Sequence, residues 1–203
     1  GALLLNAGQG NLLTMITLGT IGIYLLLMTF VRNRLHEFVF PLALFMISLS
    51  LLFMTSLRGW HITGHDIYLE YYVFQLTQQN NLWDISKFHD PYNACLSITL
   101  LPTMLSNITS IQDIYIFKVL YQIIFSFTMV GVYLFLRRYT HAFIAFLATF
   151  SAISFPTFMT DMPMLNRQEF GFLFFIVLLH LLFHKTIGNV SKWLLFFLFG
   201  FGL

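Results

Sequence analysis

The sequence predicts an all-α, polytopic membrane protein with interfacial helices in a long outer loop, and three observations predict it. Apolar residues make up 58% of the 203 positions, charged residues only 9%, and phenylalanine alone occurs 25 times. A soluble domain carries about 25% charged residues, so water could not solvate this surface. The apolar residues also fall in runs close to the roughly 20 residues that a helix needs to cross hydrocarbon. Finally, those runs are too long, and too free of alternation, for a transmembrane barrel.

Taken in order, residues 12–31 and 38–57 are uncharged runs. Residues 114–136 carry only Lys118, 142–159 are interrupted by Pro156, and 168–184 form a shorter run expected to extend at one end. A sixth run, 193–203, stops at the last residue, and the first residue is Gly1 rather than Met. Both ends therefore read as cuts, and the chain is expected to be the N-terminal part of a longer transmembrane domain. The first run lacks a short hydrophobic core with a small-residue cleavage site, so it reads as a span and not as a cleavable signal.

Basic residues in short loops set orientation. Arg32 and Arg34, Arg137 and Arg138, and Lys185 and Lys192 occupy alternate connections, which places those connections in the cytoplasm. Arg58, Lys87 and Arg167 then lie outside, with Asp66, Glu70, Asp84, Asp90, Asp113, Asp161 and Glu169, and only Glu37 remains at the inner edge. Acidic residues contribute little to insertion, so their skew points to chemistry on the extracytoplasmic face of a plasma membrane. The net charge of +2 is too small to imply nucleic acid, and a single cysteine, Cys95, excludes an internal disulfide.

The outer segment 58–113 is long for a helix connection, and such segments are usually functional or disordered. Its Trp, Tyr, Phe, Ile and Leu content favours a segment folded against the membrane surface. Residues 65–78 read as an interfacial helix. Residues 92–105 are apolar but short, with Pro102 expected to break them, and fit an interfacial or re-entrant element.

Asp66 and Glu70 are spaced i,i+4 on the first of these helices, so both should point the same way, a repulsion of about 0.2–0.5 kcal/mol. A bound substrate or a cation would offset it. One carboxylate then serves as general base for a hydroxyl; the alternative is two hydrated surface charges. Arg167, beside Glu169 and close to Asp161, suits a phosphate through its planar fork and equally suits a snorkelling anchor. Tyr71, Tyr72, Trp60 and Trp83 are candidates for stacking on a sugar ring, or members of an ordinary aromatic belt. His61 and His65 have zinc-compatible spacing, but zinc needs a third ligand and Gly64 weakens a helix across the pair; no metal or other cofactor is expected.

The span 38–57 followed by Gly64-His65-Asp66, together with Met164-Leu165-Asn166-Arg167-Gln168-Glu169-Phe170-Gly171, resembles the C-type superfamily of multi-spanning glycosyltransferases that use lipid-phosphate-linked sugars. The second segment is similar to the Asp-x-Glu-Gly motif of the oligosaccharyltransferase catalytic subunit. Glu169 matches its Glu, and Arg167 stands where that motif has Asp, which favours a metal-independent, phosphate-binding version. The stretch from Gly64 to Ile108 also resembles uncharacterised archaeal and bacterial multi-pass membrane proteins.

The resemblance implies inverting transfer of a sugar from a polyprenyl-(pyro)phosphate donor to a glycan, lipid or protein acceptor. Asp66 would be the base, Glu70 and Glu169 would orient hydroxyls, and Arg167 with Arg58 or Lys87 would hold the phosphate. The competing classes are a transporter or flippase, whose site lies near the bilayer midplane, and a non-catalytic assembly subunit.

Overall fold

A computed structural model describes residues 1–184 and 188–200; Lys185 and residues 201–203 of the sixth run lie outside the described residues. Every regular element among the described residues is helical. Short α1 (Ala2–Asn6) precedes α2 (Leu12–Val31) and α3 (Val39–Ser56), and the long connection then holds α4 (Asp66–Asn80) and α5 (Leu100–Thr109). Next, α6 (Asp113–Tyr115), a π-helical turn (Ile116–Leu120) and α7 (Tyr121–Leu136) run on as one helix, Asp113–Leu136. The remaining helices are α8 (Ala142–Ile153), α9 (Pro156–Thr160), α10 (Asn166–Leu182) and α11 (Asn189–Gly200).

Among the described residues, three helices are long and apolar enough to cross a membrane: α2, α3 and Asp113–Leu136. The fourth predicted span is a bent pair, Ala142–Ile153 and Pro156–Met164, with 65° between its halves. Pro156 has no N–H to give the ladder and a preset φ, so it starts a new helix rather than continuing the old one. The fifth run forms α10, Asn166–Leu182, which starts and ends two residues earlier than 168–184 and so, at 17 residues, is shifted rather than lengthened. It is not among the helices long and apolar enough to span.

Helix α7 packs against α3 and α8, and against α10, which α11 joins. The α7–α10 approach is close because Gly131 offers no side chain: a Cβ there would lie 3.1 Å from Ile176, and His180 Nε2 sits 2.9 Å from the Gly131 carbonyl oxygen. Small residues serve this purpose in bilayers, where lipid tails remove the hydrophobic drive between helices. By contrast α2 is mostly exposed and buries only Met28.

Among the described residues, buried side chains form two cores. Leu44, Leu52, Phe125, Phe146 and Ile153 fill the bundle between α3, α7 and α8. Ile62, Ile67, Phe74, Ile116, Phe117, Tyr121 and Phe170 join α4 and the loop before it to the π-helical turn, α7 and α10. That second core folds the long connection onto the helices.

Two side chains grip the chain where it leaves α3. The Asn6 amide donates to the Leu57 carbonyl at 2.8 Å and accepts from Gly59 N–H at 2.7 Å. Lys118, whose place near the end of an apolar run suggests snorkelling, is instead buried, and its ammonium donates to the Gly59 carbonyl at 2.8 Å and toward that of Arg58 at 3.4 Å. The π-helical turn carries it, and such turns frequently mark functional segments. Pro102 also departs from expectation: it lies in the first turn of α5 and does not break it, because N–H groups there have no intrahelical acceptor.

Candidate functional site

The site begins at Gly64, where φ is +150°, and a Cβ would meet Met164 and Ile67 side-chain atoms at 2.8–2.9 Å. Only glycine lets the chain turn into α4 this close to the 162–164 turn. Helix α4 therefore starts at Asp66, against the N-terminus of α10.

Asp66 is half-buried, and the Tyr92 hydroxyl donates to its Oδ2 at 2.6 Å. That distance is typical of a charge-assisted O–H···O⁻ bond. The bond to Asp66 and partial burial push the Tyr92 phenol up to about 12. Tyr92 is itself fixed by its turn: its N–H donates to Asp90 Oδ1 at 2.9 Å, and neighbouring Asn93 donates to the carbonyls of Asp84 and Phe88. The Arg167 guanidinium lies over the other part of the same residue, 4.4 Å from the Tyr92 ring centroid, in cation–π range.

Glu70 does not share the setting of Asp66. Only 1% exposed, it turns to the N-terminus of α10 and accepts three bonds: from Asn166 N–H at 3.0 Å, Asn166 Nδ2 at 3.1 Å and Arg167 N–H at 3.1 Å. A carboxylate at a helix N-terminus satisfies orphan donors and complements the dipole. Burial raises the Glu70 pKa above the ordinary carboxylate value, while the three N–H bonds and the Arg167 charge oppose that rise.

Glu169, one turn into α10, is 2% exposed and within Coulombic reach of Glu70. Its Oε2 faces Gln122 Nε2 at 3.4 Å, which also lies 3.4 Å from Asn166 Oδ1, while Glu169 Oε1 and Gln122 Oε1 are buried with no hydrogen-bond partner. A buried polar atom without a partner is uncommon and calls for a reason.

From Arg167 an apolar groove of about 1160 Å³ runs between α10 and residues 94–104, lined by Leu96, Leu100, Met104, Phe172 and Phe175 among others. Arg167 supplies its charge, and Gln168 and Ser97 are among its polar lining residues. Cation and groove together suit an amphiphile with an anionic head.

The structure thus brings Asp66, Glu70, Arg167 and Glu169 together around the start of α10. The other sequence candidates have different surroundings. Tyr71 packs edge-on against Phe117, with ring centroids 5.4 Å apart, and Trp83 donates its indole N–H to the Asn93 carbonyl at 2.8 Å. Arg58 is exposed, and its carbonyl, not its side chain, meets Lys118. Lys87 is exposed in the short turn Ile85–Lys87, which Asp84 caps through Ser86 N–H. Among the described residues no group of three His, Cys, Asp or Glu side chains is placed to hold a metal ion.

Sequence reasoning missed Tyr92, Asn166 and Gln122. Gln122 carried a signal, since a polar side chain inside an apolar run is expensive and usually retained for a purpose. Asn166 adjoins a residue already singled out. Tyr92 had none, because its link to Asp66 spans 26 residues of irregular chain.

No family model, curated protein or solved structure matches this chain.

Proposed function

We propose that this protein is a membrane glycosyltransferase that moves a sugar from a polyprenyl-phosphate or polyprenyl-pyrophosphate donor to an acceptor hydroxyl on the extracytoplasmic face. One observation carries the reading: a half-buried carboxylate, Asp66, is linked through a single side chain to a cation, Arg167, that lines an apolar groove. That juxtaposition provides a base for a hydroxyl, a counter-charge for a phosphate and a channel for a lipid chain. The skew of acids and short basic loops in the sequence supports the assignment of the face.

In the proposed step, the acceptor oxygen bonds to the anomeric carbon as Asp66 takes its proton. The bond from that carbon to the phosphate oxygen breaks, and the electron pair leaves on the lipid phosphate. Arg167 stabilises the charge that develops there, where a preorganised cation acts most strongly on the transition state. Inversion at the anomeric carbon follows from a single displacement. Glu70 acts by fixing the first backbone N–H groups of α10, and hence the position of Arg167. Glu169 and Gln122 add buried polar contacts at the same helix start, with Gln122 facing both Glu169 and Asn166.

The test uses the full chain in proteoliposomes with a panel of radiolabelled polyprenyl-phosphate hexoses and extracted membrane acceptors. Asp66→Asn should lower transfer by about 10²-fold or more, in keeping with loss of a general base, while its expression and unfolding match the wild type. Transfer at the wild-type rate in Asp66→Asn overturns the assignment. Movement of donor across the bilayer without transfer would favour a lipid transporter.

A further inference from the structure

Tyr92 stands between the two groups on which the proposed reaction depends, yet belongs to neither helix that carries them. Its hydroxyl is 2.6 Å from Asp66 on α4, and its ring lies under Arg167 on α10. We propose that Tyr92 is a positioning residue that couples the base to the phosphate-binding cation, holding both in one geometry from the 90–93 turn.

This rests on the transfer reading above and extends it to a residue that touches Asp66 and Arg167 rather than the substrate. Three constraints make the coupling rigid. The Asp90 carboxylate fixes the Tyr92 N–H, Asn93 is tied to two carbonyls, and the Trp83 indole donates to the Asn93 carbonyl. With the backbone so held, the phenol has little freedom. A carboxylate oxygen accepting from it keeps another face for an incoming hydroxyl, since an ionised carboxylate offers about four acceptor positions. A guanidinium stacked by one face on a ring likewise keeps its edge donors for a phosphate. Tyr92 can thus orient both groups and leave their reacting edges open.

The two halves of the contact separate by substitution. Tyr92→Phe removes the hydroxyl and keeps the ring under Arg167. Tyr92→Leu removes both. In the proteoliposome assay, Tyr92→Phe should lower kcat about tenfold with the donor KM within twofold of wild type. Tyr92→Leu should lower kcat similarly and also raise the donor KM at least fivefold. A uniform packing defect would not produce that split.

A second readout does not depend on activity. Tyrosinate absorbance titrations of wild type and Tyr92→Phe give the Tyr92 signal by difference, and the same pair is compared in the Asp66→Asn background. The Tyr92 transition should lie near 12 in the wild type and fall toward the ordinary tyrosine value of about 10 when Asp66 is neutralised. Unchanged titration in Asp66→Asn overturns the coupling. So does a Tyr92→Phe enzyme as fast as wild type, or faster, because the phenol would then be a removable plug. If the wild type shows no sugar transfer, the transfer reading fails by itself and the titration alone decides the Tyr92–Asp66 half of the proposal.

Discussion

The buried polar groups at the two cores of this protein differ in how far along the chain their hydrogen bonds reach. Each core also holds unpartnered atoms, the Ser56 and Thr128 hydroxyls in the bundle and Gln122 Oε1 and Glu169 Oε1 at the site. In the bundle core, the buried hydroxyls of Ser48, Ser126 and Thr149 each bond to a carbonyl three or four residues back in their own helix. These bonds are local, so they specify nothing about neighbouring helices. In the core under the long connection, Thr77 also bonds locally, to the Val73 carbonyl, and Gln122 to that of Phe117, but three buried side chains reach across the chain as well. Glu70 bonds to residues 96 and 97 positions away, Lys118 to carbonyls 59 and 60 positions away, and Gln122 to side chains 44 and 47 positions away. Such bonds fix the relative placement of elements, and losing one partner leaves the other buried and unsatisfied. The first arrangement is sufficient for a scaffold. The second is what a site requires.

Substitutions can break that contrast, and the largest effect should come from Glu70. Glu70→Ala leaves three donors at the start of α10 without their acceptor, two of them on the buried Asn166. The expected loss is about 3 kcal/mol at the usual cost of unsatisfied buried groups, measured by denaturant titration in bicelles. Lys118→Met should cost about 2 kcal/mol in the same titration, because the Arg58 and Gly59 carbonyls lose their ammonium. It should also loosen the chain leading to Asp66, seen as faster amide hydrogen exchange over residues 57–66. At the other extreme, Ser48→Ala removes a bond internal to α3 and should stay within about 0.5 kcal/mol of wild type. A Ser48→Ala loss comparable to that of Lys118→Met would erase the distinction between the cores.

The same contrast explains what the sequence could reveal. Three spans, 12–31, 38–57 and 114–136, were legible from their own composition, and Pro156 announced the bend in the fourth. Among the described residues, the fifth and sixth runs form helices too short to qualify as spans. Helix α4 was legible to within two residues at each end from its pattern. Pro102 misled because a proline can enter a first turn at no cost in hydrogen bonds, and sequence alone did not place that turn.

At the site, Asp66, Glu70, Arg167 and Glu169 were all singled out, and they do converge. Their surroundings were not legible. The i,i+4 spacing suggested that Asp66 and Glu70 share one environment, whereas α10 meets the helix beside Glu70 and leaves Asp66 to Tyr92. That difference is set by tertiary contacts almost a hundred residues apart, on which local periodicity carries no information.

Glu70 and Asp66 therefore offer the most direct test of the account, since one is assigned to architecture and the other to chemistry. Unfolding and sugar transfer would be measured side by side on Asp66→Asn and Glu70→Gln in proteoliposomes of the full chain. The account predicts that Asp66→Asn unfolds as the wild type does and loses transfer, while Glu70→Gln loses stability by about 1–2 kcal/mol and retains part of its transfer while folded. Asp66→Asn with full transfer, or with the stability defect assigned to Glu70, would contradict it.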